Sequence, residues 1–223
     1  MTGGFAAIPA LPGEVVPEGF TPLAFVPGLL PPEFAIPRSL LVQLDSARGA
    51  ISRLVGEAHR VSNVNLIMRP LDRREAVLSS RIEGTQTEIR EVLLRESADP
   101  TERTDSSDTD FGEVLNYLGS LQLAQQWHTE GRKLGPAMIR DLHARLLLGV
   151  RGRDKSPGEF RRKNVYIGNK GTGIAAARFV PPPWEQVSPL LDDLIAFAAG
   201  PPTYGPLIDA AILHYQFETI HPF

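Results

Sequence analysis

A chain of 223 residues with 42% apolar and 22% charged side chains can bury a sizeable hydrophobic core, and a formal net charge of -3 supplies no field that draws it onto nucleic acid or anionic lipid. The absence of cysteine excludes a disulfide framework and thiolate zinc sites and fits a reducing compartment, so a cytoplasmic location is expected. The first basic residue is Arg38 and no uncharged, proline-free apolar run is long enough to span a bilayer, so neither a secretory start nor a membrane segment is read.

Residues 1–37 hold eight of the 20 prolines, each of which fixes φ and removes a donor, and this predicts an extended arm without helix or central strand. From Arg38 the pattern changes. Leu40, Leu41, Leu44, Ala47, Ile51, Leu54, Val55, Ala58 and Val61 recur at spacings of three and four, which predicts a long amphipathic helix. A second helix is expected to follow Pro70, through Leu71, Ala76, Val77, Ile82 and Ile89, so that residues 38–97 form an N-terminal helical region. Residues 98–110 contain five acidic side chains against one arginine and no large apolar one, which predicts an acidic, flexible loop.

Helical periodicity resumes at Val114, Leu115, Leu118, Leu121 and Ala124, and again after Pro136 at Met138, Ile139, Leu142, Leu146 and Leu147, with Pro136 suited to a first helical turn. Between Phe160 and Val180 the segments Asn164–Ile167 and Arg178–Val180 flank a glycine-rich stretch and read as a short β-hairpin, closed by Pro181, Pro182 and Pro183. Further helices are expected from Trp184 to Ala199 and from Pro206 to about Phe217. The fold class is therefore mainly α with one small hairpin.

His221 follows the last apolar helix, and Pro222 biases it away from helical dihedrals toward an extended conformation. Imidazole, with an ordinary pKa of about 6.5, is suited to take a proton from a hydroxyl at neutral pH. A histidine at a helix end also serves as a simple cap, so the residue alone does not decide between the two.

Ser79-Ser-Arg-Ile-Glu-Gly-Thr85 together with Phe217-Glu-Thr-Ile-His-Pro-Phe223 resembles two diagnostic segments of the Fic family. Ser79, Glu83 and Gly84 match the inhibitory motif of the subclass with an N-terminal autoinhibitory helix. His221, Pro222 and Phe223 match the opening of the family motif, which continues elsewhere through an acidic residue and Gly-Asn-Gly-Arg. Gly158–Arg161, Asn164–Gly168 and Arg178–Pro182 are similar to the substrate-docking flap and its flanks. The resemblance spans about Arg38 to Phe223, with 111–223 as a Fic core that is expected to be incomplete at its C-terminus.

The resemblance implies a Fic-like helical bundle and a protein adenylyltransferase using ATP and Mg2+, the ion riding on the phosphates, with no protein metal site. His221 would be the base that deprotonates a Ser, Thr or Tyr hydroxyl of a target protein, whose oxygen then attacks the α-phosphate. Glu83 would block the productive ATP pose by repelling the γ-phosphate and occupying its arginine, with Ser79 one turn earlier orienting the carboxylate. Val165, Tyr166, Ile167 and Gly168 would dock target backbone as an added strand. The phosphate cradle belongs to the Gly-Asn-Gly-Arg segment, so residues 1–223 by themselves are expected to be inactive and to bind nucleotide poorly. A homo-oligomer is left open.

Rival readings are weaker. Gly168–Gly173 is not a phosphate loop, because it leads into Arg178-Phe-Val rather than a helix. Glu218-Thr-Ile-His221 matches half of a di-iron motif that has no second copy here. His59, His128, His143 and His214 lack ligand spacing and read as solvated or hydrogen-bonded structural residues, and Trp127 and Trp184 as packing residues. Two alternatives of function stay open: a non-catalytic helical interaction or regulatory module, and a Fic enzyme that removes AMP or transfers another phosphate-containing group.

Overall fold

The structure, a computed structural model, describes residues 13–18, 21–82, 84–97, 109–169 and 173–223. Seven α-helices dominate these residues, and the chain divides into two compact units, residues 1–41 with 160–223 and residues 42–159. The division falls inside helix α1, Arg38–Ala58. Among the described residues no helix is long and apolar enough to cross a membrane.

In the first unit, strands β1 (Gly13–Glu18) and β2 (Thr21–Pro27) pair antiparallel, Gly13 opposite Pro27 and Val15 opposite Phe25, with an irregularity between Val16 and Glu18. The arm expected from its prolines is thus two paired segments, and a two-stranded sheet tolerates Pro17, Pro22 and Pro27 because both of its strands are edges. Phe25 also donates its N–H to the carbonyl of Val180 at 3.0 Å, and the two neighbouring rings, Phe25 and Phe179, lie 6.2 Å apart.

Helices α6 (Val187–Ala199) and α7 (Pro206–Ile220) pack together in this unit and bury Leu190, Leu191, Leu194, Ile208, Ile212 and Ile220. Gln216, also buried on α7, donates to the carbonyl of Gly28 at 2.9 Å, so its amide is satisfied where β2 meets the helix. Asp193 of α6 accepts the N–H of Leu30 at 2.8 Å, and Tyr204 donates to the carbonyl of Pro32. A proline-rich segment that could not form its own ladder is in this way tied down by side chains.

The second unit is built on α2 (Asn65–Ile82), α3 (Ile89–Ser97), α4 (Thr109–Thr129) and α5 (Pro136–Leu146). Its core is Ala76 and Val77 of α2, Val92 of α3, and Phe111, Val114 and Leu118 of α4, with Ile89 and Tyr117 at the margin. Helix α1 buries no residue, and its apolar positions stay open, Leu54 at 70% exposure and Ile51 at 46%.

Three boundaries depart from the sequence reading. Helix α2 starts at Asn65, not after Pro70: Asn63 caps the Asn65 N–H through its side-chain oxygen at 3.2 Å, and Pro70 is accommodated inside the helix. The same helix does not run on to Ile89. The N–H of Thr85 bonds the Ser80 carbonyl at 3.1 Å and that of Gly84 bonds Arg81 at 3.0 Å, with Gly84 at φ 94, which is a Schellman stop. Helix α4 begins at Thr109, five residues before Val114, because Asp110 is not loop but first-turn acid at the positive end of a helix dipole. Of the acidic segment, residues 98–108 lie outside the described residues.

Candidate active site and inhibitory turn

The residues singled out by sequence fall into one group in each unit. In the first unit, His221 is the C-cap of α7, with φ 48 and ψ 65, and its N–H still bonds the Phe217 carbonyl at 3.1 Å. The expectation of an extended histidine is therefore corrected to a left-handed one. Both conformations escape the right-handed helical region that Pro222 disfavours, and the left-handed one additionally keeps the last amide of the helix bonded. For a residue with a Cβ this conformation costs about 1 kcal/mol or more and persists only where its surroundings fix it.

Arg161 does the fixing. It is only 9% exposed, and its guanidinium donates to the carbonyls of His221 at 2.7 Å, Ile220 at 3.2 Å, Pro182 at 2.6 Å and Lys163 at 3.2 Å. Its backbone N–H donates to the carbonyl of Pro222 at 2.9 Å. One side chain thereby caps the carbonyl end of α7 and offsets the negative pole of the helix dipole. Pro222 is buried, and the ring of Phe223 lies 5.3 Å from that of Phe160, so the residue before Arg161 also lies beside the His221–Phe223 segment.

The Lys163 and Pro182 carbonyls are also the two feet of the segment read as a docking flap. Its limbs meet at a single antiparallel bridge, Ile167 with Phe179: the Ile167 N–H donates to Phe179 at 2.8 Å, and the Ile167 carbonyl accepts from Arg178 at 2.8 Å and Phe179 at 3.1 Å. A 3-10 turn at Ile174–Ala176 leads into the second limb. Gly168 sits so close to it that an added Cβ would meet the Ala177 Cα at 3.3 Å. Val165 is half-buried and Tyr166 exposed, and Asn164 accepts the Trp184 N–H at 2.9 Å. Residues 170–172, at the glycine-rich tip, lie outside the described residues.

In the second unit, Ser79 is half-buried on α2 and its hydroxyl donates to Glu75 at 2.8 Å, one turn earlier. Gly84 occupies the left-handed position of the Schellman stop with open space around it, so a side chain there is opposed by backbone conformation and not by crowding. Glu83 lies outside the described residues.

Immediately after Gly84 the chain is clasped to α4. Thr85, 2% exposed, donates its hydroxyl to Glu113 at 2.7 Å, and Gln86 donates its N–H to Asp110 at 2.7 Å. Arg151 forms a bidentate pair with Glu113, both contacts 2.7 Å, and reaches Asp110 at 3.0 Å. The Arg151 guanidinium, followed by the Thr85 hydroxyl, holds the Glu113 carboxyl below its ordinary range against the opposing effect of burial, and Glu113 in turn raises the Arg151 pKa.

His143, on α5, accepts the Gly158 N–H at its Nδ1 at 3.0 Å, and burial pushes its pKa down, so the neutral imidazole is the favoured form. Arg140 donates to the Gly158 carbonyl at 2.8 Å. Gly158 has φ 81 and lies where a Cβ would meet the Ala144 Cβ at 3.1 Å and the Arg140 carbonyl at 3.2 Å.

Among the described residues no group of three or more His, Asp or Glu side chains is arranged to hold a metal ion. Sequence reasoning assigns no role to Arg161, Glu113 or Arg151. The one signal for Arg161 is its place in the Gly158–Arg161 segment; a buried cation's partners here are backbone carbonyls, which leave no trace in residue types.

The chain is similar in sequence to two family models and in fold to solved structures. The family model described as Fic/DOC family N-terminal matches residues 41–126, and that described as Fic/DOC family matches residues 133–223. The fold is similar to the crystal structure of a Fic family protein from Desulfovibrio desulfuricans G20, with TM-score 0.63 and 20% identity over 85% of this chain and 54% of that one. It is also similar to a Fic domain containing signaling protein from Bacteroides thetaiotaomicron VPI-5482, with TM-score 0.54 and 20% identity over 78% of this chain and 65% of that one. The chain thus spans between about half and two thirds of the length of these two proteins. The comparison with curated proteins gives no match. Matched by both family models across nearly all of residues 41–223, and similar in fold to a solved Fic family protein, the chain belongs to the Fic/DOC family.

Proposed function

We propose that this protein is a protein adenylyltransferase of the autoinhibited kind, in which His221 is the base and Glu83 the brake. The observation that carries the reading is the over-determined backbone of His221: a left-handed residue at the end of α7 whose carbonyl, and both neighbouring carbonyls, are held by Arg161 and its N–H. Catalysis by proton abstraction needs an imidazole whose position does not drift, and strain held in place beside a functional motif is the usual mark of such a position. The buried guanidinium also lessens the repulsion that the carbonyl end of α7 would exert on a phosphate group.

In this reading His221 takes the proton of a target hydroxyl as its oxygen attacks the α-phosphorus of ATP, and pyrophosphate leaves. ATP supplies the AMP group, with Mg2+ on its phosphates. Target backbone docks along the flap, where strand alternation turns the Tyr166 and Gly168 backbone groups away from the edge that Ile167 gives to Phe179. Glu83, next to Gly84 at the Schellman stop, blocks the productive ATP pose. The cytoplasm, where ATP and target proteins are available, is the proposed location.

The test is transfer of label from α-labelled ATP with magnesium, using the full-length protein. Transfer should rise in Glu83→Gly and vanish in Glu83→Gly/His221→Ala. No transfer from a folded, ATP-binding Glu83→Gly protein would overturn the reading.

A further inference from the structure

The two limbs of the flap differ in their neighbours. Phe179 commits its N–H and its carbonyl to Ile167, so the next residue, Val180, turns its backbone to the opposite edge, where its carbonyl accepts the N–H of Phe25 at 3.0 Å. With the Phe25 N–H on Val180, alternation leaves Ala24 and Val26, opposite Val16 and Glu14, to bond β1. The limb Arg178–Val180 is therefore flanked on both edges, by the first limb and by β2.

From β2 the chain runs on over the helices that carry His221. Buried Gln216 of α7 donates to the Gly28 carbonyl at 2.9 Å, and Asp193 of α6 accepts the Leu30 N–H at 2.8 Å. Tyr204, between those helices, donates to the Pro32 carbonyl and lies ring to ring with Phe34 at 4.9 Å. Gln216 stands five residues before His221, on the helix that His221 closes. All of these residues belong to the first compact unit. Resting on the adenylyltransferase reading, we propose that residues 24–34 are a positioning strap for the docking flap: bonded to Val180 at one end and to α6 and α7 at the other, they hold the flap in place relative to His221 before a target arrives.

Two short limbs joined by a single bridge are a marginal structure in water without a further neighbour. Arg161 holds the Lys163 and Pro182 carbonyls at the feet of the flap, whereas Phe25 bonds the residue next to the bridge itself. Where order has to be created as a target docks, its cost is subtracted from binding, and a flap fixed beforehand avoids that cost. Phe25 and Asp193 touch neither target nor nucleotide in this proposal; they act through the flap. Their loss weakens docking without altering the step that follows it, so KM for the acceptor rises while kcat holds.

The experiment uses the full-length Glu83→Gly protein with unfolded, phosphate-free casein as acceptor, because docking through backbone asks little of the acceptor's side chains. It compares Phe25→Pro, which loses the N–H, with Phe25→Leu, which keeps it, and Asp193→Ala with Asp193→Asn, which keeps an oxygen acceptor for Leu30. The readouts are amide hydrogen exchange at Ile167, Arg178 and Phe179, and kcat and KM for transfer from α-labelled ATP. Phe25→Pro and Asp193→Ala should speed exchange and raise the KM for casein by roughly tenfold, with kcat and the KM for ATP unchanged. Phe25→Leu and Asp193→Asn should behave like the parent. A merely structural strap gives a different pattern: its loss lowers the amount of active protein, so kcat falls while KM stays, and that result overturns the proposal. So does exchange that ignores Phe25→Pro. If Phe25→Pro does not fold, the Asp193 pair decides alone. A folded, ATP-binding parent that labels no casein sinks the adenylyltransferase and docking reading and the strap's role with it, whereas labelling whose KM for casein ignores either pair sinks the strap alone.

Discussion

Arg161 donates its Nε–H to the carbonyl of His221 at 2.7 Å, and the same buried side chain reaches the carbonyls of Lys163 and Pro182 at the two ends of the flap. The candidate base and the candidate docking segment therefore share one anchor. An arginine is needed for this because its planar fork presents several donors in fixed directions, and the ends of a helix and of two extended limbs supply carbonyls but no side-chain acceptors.

Arg161→Ala is expected to lower stability by about 3 kcal/mol, since several buried carbonyls lose a charged donor together. Arg161→Lys should recover only part of that loss, because an ammonium on a flexible stem cannot reach carbonyls spread around a plane. Urea unfolding followed by circular dichroism measures both, the midpoint moving while the slope stays constant.

Gly84→Ala should cost about 1 kcal/mol, through left-handed backbone strain alone. Gly84→Asn should cost less, as asparagine tolerates that region better. If crowding were the reason for glycine, the larger asparagine would be the worse of the two, so the order of the thermal midpoints decides the cause.

Protonation of His143 removes the acceptor for the Gly158 N–H. Its pKa is lowered by burial from 6.5, so the folded state binds this proton less readily than the unfolded one. The stability it contributes is present above pH 6.5 and is lost as pH falls through the lower, folded value. Denaturation midpoints at a series of pH values should fall on acidification, and His143→Asn, which offers an uncharged oxygen acceptor, should flatten that slope.

Glu113 obeys the same sign rule at lower pH. Its carboxyl is held below the ordinary 4.5 by Arg151 and Thr85, so the clasp contributes fully above pH 4.5 and weakens as pH drops through the folded value. The stability difference between the unmodified protein and Glu113→Gln should therefore shrink in acid, as midpoints measured from about pH 6 down to about pH 3, a range that brackets the carboxylate pKa, would register.

Periodicity is enough to place α1 and α5, because their apolar spacing and the Pro136 start are local signals. Local rules fail where tertiary contacts override them. Pro70 looks like a helix start, but the Asn63 cap lies upstream and the helix passes through the proline. The prolines of residues 13–27 hide a paired hairpin, since two edge strands do not need every N–H. The rule for residues before proline points His221 to β space, whereas the helix end it closes draws it to the left-handed region. Motif residues are legible in sequence; Arg161, Glu113 and Arg151 are not, because their importance lies in which distant backbone or carboxylate each one meets.

The most direct test of the central claim tracks both phosphate positions of ATP at once in the full-length Glu83→Gly protein. Label at the α-phosphate should appear on target-protein hydroxyls, label at the γ-phosphate should not, and His221→Ala should abolish the first. Transfer of γ-label, or α-label transfer that survives loss of His221, would contradict adenylyl transfer with His221 as its base.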